Sequence, residues 1–282
     1  MDTLLLVDGS NLLFQMFYGM PNRIDGPDGR PIQGTVGFLG ALLKMIRMVR
    51  PSHVGVFFDG EWENPRKQMD EGYKANRPDW SQVPEEDLPF SQLPDIYAAL
   101  DRLGICHAET ECCETDDWMA AYVRQTGGMK IVLSSFDSDY FQLLSENVSV
   151  LRYRGKESRI WTPRILGEKL GVRPENYAWF KAMTGDHSDN VPGIPGVGPK
   201  TAAQLTARFS SMEEMLENTQ AIPRPSVRKA VEANRERLIQ SYALIRLEGT
   251  QALPFLPQAL RWEYKGQTST QVLREIGLIL TS

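Results

Sequence analysis

Cysteine and histidine are scarce in this sequence, three of each in 282 residues. So few cysteines, at irregular spacing, exclude a disulfide-stapled secreted scaffold and point to a reducing compartment. Long apolar runs are also missing. The longest, around Phe38–Val49, is broken by Lys44 and Arg47, far short of the ~20 uncharged residues of a membrane span. The apolar run Thr3–Val7 is too short for a signal peptide and has no basic flank. There is no internal repeat and no low-complexity tract. A cytoplasmic protein with no membrane partner is expected. At 41% hydrophobic and 24% charged, the composition is that of an ordinary globular chain, long enough to bury about three quarters of its unfolded surface without staples.

The net charge of −5 is unevenly spread. Residues 151–240 hold 15 Lys/Arg against 10 Asp/Glu, and 241–282 hold 4 against 3, leaving −11 for the first 150 residues. One reading is two ordinary solvated surfaces; the other is that one sign marks a partner.

Short apolar runs alternate with helical spacing in the first half. Leu4–Val7, Val54–Phe58 and Ile131–Leu133 read as strands, with a further candidate near Ile105. Residues 35–49, apolar at 38, 39, 42, 43, 45, 46 and 49, and residues 116–124 read as helices. The pattern predicts an α/β domain with a mostly parallel sheet flanked by helices. Asp8, Asp59 and Asp137/Asp139 follow the three strand runs, and the carboxyl edge of such a sheet is where ligands bind. Residues 65–95 form an insertion carrying Pro65, Pro78, Pro84, Pro89 and Pro94. The composition changes again near Leu151 and becomes helical in character, with a Gly/Pro-rich interruption at Gly193–Lys200. The expected organisation is 1–150 as a catalytic core including the insertion, 151–250 as a helical region with a hairpin at about 185–208, and 251–282 as a C-terminal extension.

Glu114-Thr115-Asp116-Asp117 is the densest acidic segment, and alone it fits the first turn of a helix, where acids favour the dipole. Taken with Asp8, Asp59, Asp137, Asp139, Asp186 and Asp189, it makes nine carboxylates that would repel one another without hard cations. Oxygen-only ligation suits Mg²⁺ or Mn²⁺, and two such ions about 4 Å apart suit in-line attack on a phosphodiester. A zinc site from Cys106, His107, Cys112 and Cys113 has the wrong spacing. No G-x-S-x-G elbow is present, and His53, His107 and His187 have no evident nucleophile.

Gly193-Ile194-Pro195-Gly196-Val197-Gly198-Pro199-Lys200-Thr201 resembles a helix-hairpin-helix, in which glycines admit a phosphate to backbone N–H groups and Lys200 adds charge. Such a motif holds a DNA backbone without reading bases. A plain tight turn is the alternative. A P-loop is not, because Pro199 stands where its lysine should be.

Running into that hairpin, Gly185-Asp186-His187-Ser188-Asp189-Asn190-Val191-Pro192-Gly193 resembles the signature of the 5′-nuclease family, which includes flap endonucleases, phage 5′-exonucleases and the 5′-nuclease domain of bacterial DNA polymerase I. Val7–Asn11, Phe57–Asp59, Tyr73–Pro78, Glu114–Asp117 and Asp137–Leu143 match further motifs in order, over roughly residues 3–250. The resemblance implies a PIN-like fold with a helical arch insertion and a structure-specific nuclease of 5′ flaps and 5′ ends, serving primer removal, replication or repair. It implies two or more Mg²⁺ or Mn²⁺ ions among the nine acids, with Glu114, Asp116, Asp137 and Asp139 nearer, Asp186 and Asp189 in a second group, and Asp117 fitting the motif. Tyr73, Lys74 and Arg77 would lie at the arch base as catalytic residues, Lys74 assisting the scissile phosphate, with Arg66 beside them as a DNA contact. Pro78–Pro94 would be the arch or clamp around a 5′ single strand. Gly193, Gly196, Gly198, Lys200 and Thr201 would grip the duplex, with K⁺ held by the hairpin carbonyls. The implied partners are flap or 5′-ended DNA and RNA–DNA primer junctions, met by a stand-alone monomer, since no polymerase-like segment follows in the sequence. Three departures stand out: Gln15 where polymerase relatives carry Arg, Ser138 for Lys between the two aspartates, and Thr115 for Ala. The alternatives are a non-catalytic branched-DNA binding module, which has no use for nine repelling acids, and an RNase, against which the hairpin argues.

Overall fold

The structure is a computed structural model that describes residues 1–62 and 64–280. Its centre is a six-stranded sheet. The first strand, β1 (Thr3–Asp8), is entirely buried from Leu4 to Val7, as a central parallel strand covered on both faces must be. After it come α1 (Gly9–Gly19), α2 (Gln33–Val49) and β2 (His53–Phe58). The insertion begins with α3 (Pro65–Met69), capped by Asn64. It continues through turns and two short 3₁₀ segments, Glu85–Asp87 and Pro89–Gln92, into α4 (Leu93–Leu103). Its prolines remove backbone donors and break longer helices, so its helical content is one five-residue helix and tight turns.

Next follow β3 (Cys106–Glu109), α5 (Thr115–Gln125), β4 (Lys130–Ser134), β5 (Val148–Arg152) and β6 (Arg159–Trp161). The order across the sheet is β3-β2-β1-β4-β5-β6, parallel except for β6. The sheet therefore runs past the composition change at Leu151 to Trp161. Residues of β1 alternate between two cores. Leu5 and Val7 face Phe38, Leu39 and Leu42 of α2 and Ile96 and Leu100 of α4. Leu4 and Leu6 face Met119 and Tyr122 of α5 and the helical half beyond. Each such large side chain contributes about 1.5–3 kcal/mol on burial.

The helical half comprises α6 (Pro163–Leu170), α7 (Tyr177–Thr184), α8 (Pro199–Arg208), α9 (Met212–Glu217), α10 (Pro225–Ala233) and α11 (Arg235–Ile245). α6 starts at a Thr162 cap and stops at left-handed Gly171. The C-terminal extension returns to the sheet domain. Trp262 donates its backbone N–H to Ser52 O at 2.9 Å and its indole N–H to Leu103 O at 2.8 Å. α12 (Ser269–Glu275) buries Val272 and Leu273 in the core shared with α2 and α4. Among the described residues, no helix is long and apolar enough to cross a membrane.

Candidate active site

The strand order reverses direction between β1 and β4, and their carboxyl ends open a crevice there. Asp8 closes β1 and caps α1, accepting from Asn11 N at 2.9 Å. Its other oxygen accepts from Ser135 Oγ at 2.9 Å and Tyr140 OH at 3.2 Å. Asp59, just after β2, accepts from Thr115 N at 2.8 Å and donates its own N–H to Ser10 Oγ at 2.8 Å. Asn11 accepts from Phe136 N at 3.0 Å, which seats the loop carrying Asp137 and Asp139. Three strand ends and the start of α5 are thus laced together through side chains.

Glu114 caps α5, and Asp117 returns the favour by accepting from Glu114 N at 3.2 Å. Both are held by buried cations. Arg66, from α3, pairs with Glu114, with Asp117 at 2.8 Å and with Asp116 at 3.4 Å. Lys74 pairs with Glu114, and Tyr73 OH donates to Glu114 at 3.0 Å and to Asp189 at 3.3 Å. Lys74 sits at φ 58°, left-handed for a non-glycine, and its N–H donates to Asp189 O at 2.9 Å. Arg77, more than half exposed, reaches Asp189 at 3.2 Å.

A second group lies at the end of α7. Carboxylate oxygens of Asp139, Asp186 and Asp189 fall within 4.8 Å of one another. Lys181 pairs with Asp139, with Asp186 at 2.6 Å and with Asp137 at 4.0 Å. Sequence reasoning missed this lysine. Its only signal was one cation inside the otherwise apolar Ala178–Met183 turn of a buried helix.

Burial and crowding govern the titration of the acids. Asp8 is pushed up to about 7 by burial and by Asp59, against the bonds from Asn11 and Ser135. Asp139 rises to about 7 through burial and Asp137, with Lys181 opposing. Asp116 is held well above the carboxylate range by burial, although Arg66 opposes. For Glu114 burial acts upward, but Lys74 and Arg66 outweigh it and bring it to about 2. For Lys181 burial acts downward and its aspartates more than offset it, leaving the ammonium above its ordinary range. Carboxylates this crowded, with only oxygen donors, fit a hard divalent cation.

The cleft above the acids has a volume of about 710 Å³. Asp8, Asp59, Glu114, Asp116 and Asp137 line it together with Lys74 and Arg77. Phe14, Tyr18, Trp80 and Phe90 form its apolar wall, and no motif or spacing singles these four out. Tyr18 stacks on Trp80 at 6.3 Å, and Phe14 meets Phe90 edge-on at 5.3 Å.

Several expected residues have occupations of their own. Arg66 is an almost buried counter-ion facing three acids. Asp117 is committed to Arg66 and the α5 cap. Gln15 turns away from the acids to donate to Tyr153 O at 2.7 Å. Gly193 packs so close to Thr184 that a Cβ would lie 2.5 Å from its backbone carbon. Gly196 takes φ 79°, Gly198 precedes α8, and Lys200 and Thr201 start that helix at the surface. α7, the hairpin and α8 therefore form one continuous unit, and its first helix also carries Lys181. Cys106, Cys112 and Cys113 are free thiols, and the metal-capable group among the described residues is the aspartate trio, not these sulfurs.

The architecture is a doubly wound α/β domain with an acidic switch point, joined to a helical hairpin domain. The sequence profile of the 5′-3′ exonuclease N-terminal, resolvase-like domain matches residues 3–171, and that of the 5′-3′ exonuclease C-terminal SAM fold matches residues 172–268. The chain belongs to the 5′-3′ exonuclease family. It is 39% identical over 255 residues to DNA polymerase I of Rhizobium leguminosarum, covering 87% of this chain and 24% of that protein. It is 37% identical over 259 residues to the thermostable DNA polymerase I of Thermus filiformis, covering 91% and 30%. The chain thus spans about a quarter to a third of the polymerases it matches. The fold is shared with the T5 5′-exonuclease solved with bound zinc ions (TM-score 0.72, 22% identity, 87% and 89% of the two chains). It is shared also with the bacteriophage T5 D15 flap endonuclease solved with DNA and metal ions (TM-score 0.71, 20% identity, 97% of each).

Proposed function

We propose that this protein is a metal-dependent, structure-specific 5′-nuclease that hydrolyses phosphodiester bonds of DNA at 5′ flaps and 5′ ends, leaving a 5′-phosphate and a 3′-hydroxyl. The observation that carries this reading is the ring of carboxylates at the sheet's switch point, paired with buried Arg66, Lys74 and Lys181 and opening into a cleft with aromatic walls. Membership of the 5′-3′ exonuclease family supports it.

Asp8, Asp59, Glu114, Asp116, Asp137, Asp139, Asp186 and Asp189 would hold two or more Mg²⁺ or Mn²⁺ ions, with Asp117 fixing the α5 start beneath them. Bound there, such ions would activate water and neutralise charge on the leaving oxygen. The chain's own residues do the rest. Lys74, fixed in place by Asp189 O and Glu114, presents a cation to the scissile phosphate. Arg77 adds an exposed guanidinium at the cleft mouth. Tyr73 ties Glu114 to Asp189 and so holds the two acid groups in register. The Tyr18–Trp80 pair offers stacking faces to unpaired bases. The hairpin with Gly196, Gly198, Lys200 and Thr201 would hold the duplex backbone, with K⁺ on its carbonyls. The working substrate is flap or primer DNA, RNA–DNA junctions included, met by a monomer in the cytoplasm during replication or repair. The functional units would be the sheet core with its insertion, extended from the expected boundary at 150 to Trp161, the helical region from there to about 250, and the extension over 251–282.

The test is a 5′-labelled flap duplex incubated with the protein in Mg²⁺ and in EDTA, beside Asp116→Asn. Cleavage near the junction is expected, lost in EDTA and reduced at least about 100-fold in the variant. Tight flap binding with no cleavage in either Mg²⁺ or Mn²⁺ would leave a branched-DNA binding module instead.

A further inference from the structure

At the carboxyl end of β5 stands an arginine that has no ion-pair partner among the described residues. The Arg152 guanidinium lies over the Phe141 ring at 4.6 Å and faces the Trp161 ring at 5.6 Å, two rings that themselves stack at 4.4 Å. Among the described residues it makes no hydrogen bond and no ion pair, and its Nε is buried without an acceptor. Burial lowers its pKa, and nearby Tyr177 and Asp137 only partly oppose this. A half-buried cation costs free energy unless an anion meets it.

Its surroundings add to that cost rather than relieve it. Arg159 of β6 stands directly across from Arg152 in the antiparallel register, and like charges at opposed positions destabilise a strand pair. Arg154 and Lys156, both exposed, occupy the connecting turn, where Glu157 is the one acid. Arg154 reaches that acid at 4.0 Å. The rings meanwhile fix the plane of the Arg152 fork, so little entropy is lost when it engages two oxygens.

Location indicates which anion is meant. β5 is the neighbour of β4, whose end carries Asp137, and Phe141 belongs to the turn that starts at Asp139. Gln15 bonds to Tyr153 O and so ties the end of β5 to α1, which lines the cleft. The guanidinium therefore stands beside the residues that line the cleft, near enough to Asp137 to feel its charge, without being drawn into their ion pairs.

We propose that Arg152 is a phosphate-binding residue that takes one backbone phosphate of the DNA strand being cut, with Arg159 behind it. This rests on the nuclease reading above and adds to it a backbone contact on the β5 side of the cleft, separate from the hairpin. A phosphate diester fits because it is a singly charged, two-oxygen acceptor matched to a guanidinium fork. Base identity would not matter, since the contact is to the backbone.

The experiment measures binding of a 5′-flap duplex in Ca²⁺ at several salt concentrations. It compares the parent with Arg152→Met and Arg152→Lys, using substrates that carry a single neutral methylphosphonate at successive positions of the cleaved strand. Arg152→Met should bind about tenfold more weakly, with a salt slope smaller by about 1. Arg152→Lys should keep the parent slope yet lose affinity, because it keeps the charge but not the fork. At one methylphosphonate position the parent should lose the same factor while Arg152→Met loses nothing further, the signature of a shared contact. Strictly additive losses at every position, or parent-like binding by Arg152→Met, would overturn the proposal. Far-ultraviolet circular dichroism and the melting temperature of each variant separate a folding defect, and Arg152→Lys alone still decides the question if Arg152→Met does not fold. Mg²⁺ cleavage by the parent is scored in parallel. Its absence would sink the nuclease reading while the binding comparison still decides the role of Arg152.

Discussion

Lys181 holds together the acids at the end of α7. It is 7% exposed and touches Asp139 and Asp186, with Asp137 at the edge of reach. Removing one partner of a buried ionic group leaves the others uncompensated, which costs about 3–5 kcal/mol. Lys181→Met should therefore lose about that much stability in urea unfolding carried out in EDTA, and Mg²⁺ should restore a substantial part by supplying positive charge to the same carboxylates. Equal midpoints for variant and parent in EDTA would mean that the aspartates do not need the lysine. The acids were legible in the sequence because they follow strand-like runs and carry family motifs. Lys181 and Arg152 were not, because a single cation in an apolar segment has no pattern of its own, and its partners come from residues remote along the chain.

At the level of elements, legibility followed burial. β1, β2 and β4 read as strands because a parallel strand covered on both faces is a continuous apolar run. β5 and β6 sit toward the sheet edge with arginines in them, so they look like the start of the helical half. The extension was similarly opaque, because its docking depends on isolated residues such as Trp262 and Val272 rather than on a periodic face. That docking makes its own prediction. His53 lies at the seam, 4% exposed, bridged to Arg261, with Ser52 Oγ 2.9 Å from its Nδ1. Burial holds its pKa below the model-peptide 6.5, Asp2 opposes, and Arg261 reinforces the lowering. Above 6.5 the ring is neutral folded and unfolded, so it does not tilt the balance. Below 6.5 the unfolded chain takes up the proton first, and stability falls with pH. His53→Gln should flatten the dependence of melting temperature between pH 7 and pH 5 relative to the parent. Parallel curves would remove His53 from the account. The insertion makes a second prediction. Trp80→Ala should weaken binding of substrates with unpaired 5′ nucleotides by about 5-fold to 100-fold, since a stacked base contributes about 1–3 kcal/mol. Fully duplex substrates of the same length should bind as before, and an equal loss on both would mean that Trp80 only supports the fold.

Across the whole molecule, charge and architecture divide the same way. The first 150 residues carry −11, and residues 151–240 carry +5. Asp8, Asp59, Glu114, Asp116, Asp117, Asp137 and Asp139 stand at the sheet's carboxyl edge, while Arg154, Lys156 and Arg159 stand in the β5–β6 segment and Lys200 at the end of the hairpin. On the proposed nuclease reading, a DNA strand approaching the acids would be repelled until cations occupied them, whereas the basic half would attract the backbone at any metal concentration. Binding should therefore respond to two ions in opposite senses. Rising NaCl should weaken it steeply, with log K falling linearly in log salt because each released counterion gains less free energy. Millimolar Mg²⁺ or Ca²⁺ at fixed ionic strength should strengthen it by screening and filling the acid edge. Asp59→Asn/Asp137→Asn, which removes two carboxylates that line the cleft, should bind flap DNA more tightly than the parent in EDTA and gain less from Ca²⁺. Lys200→Glu should bind more weakly under both conditions if the hairpin holds the duplex as proposed, because its loss would fall there and not on the acid edge. Fluorescence anisotropy of a labelled flap duplex, titrated in EDTA and in Ca²⁺, separates the two effects. If the double variant and the parent respond identically to Ca²⁺, the acid edge is not the barrier, and the charge division belongs to the surface rather than to the path of the DNA.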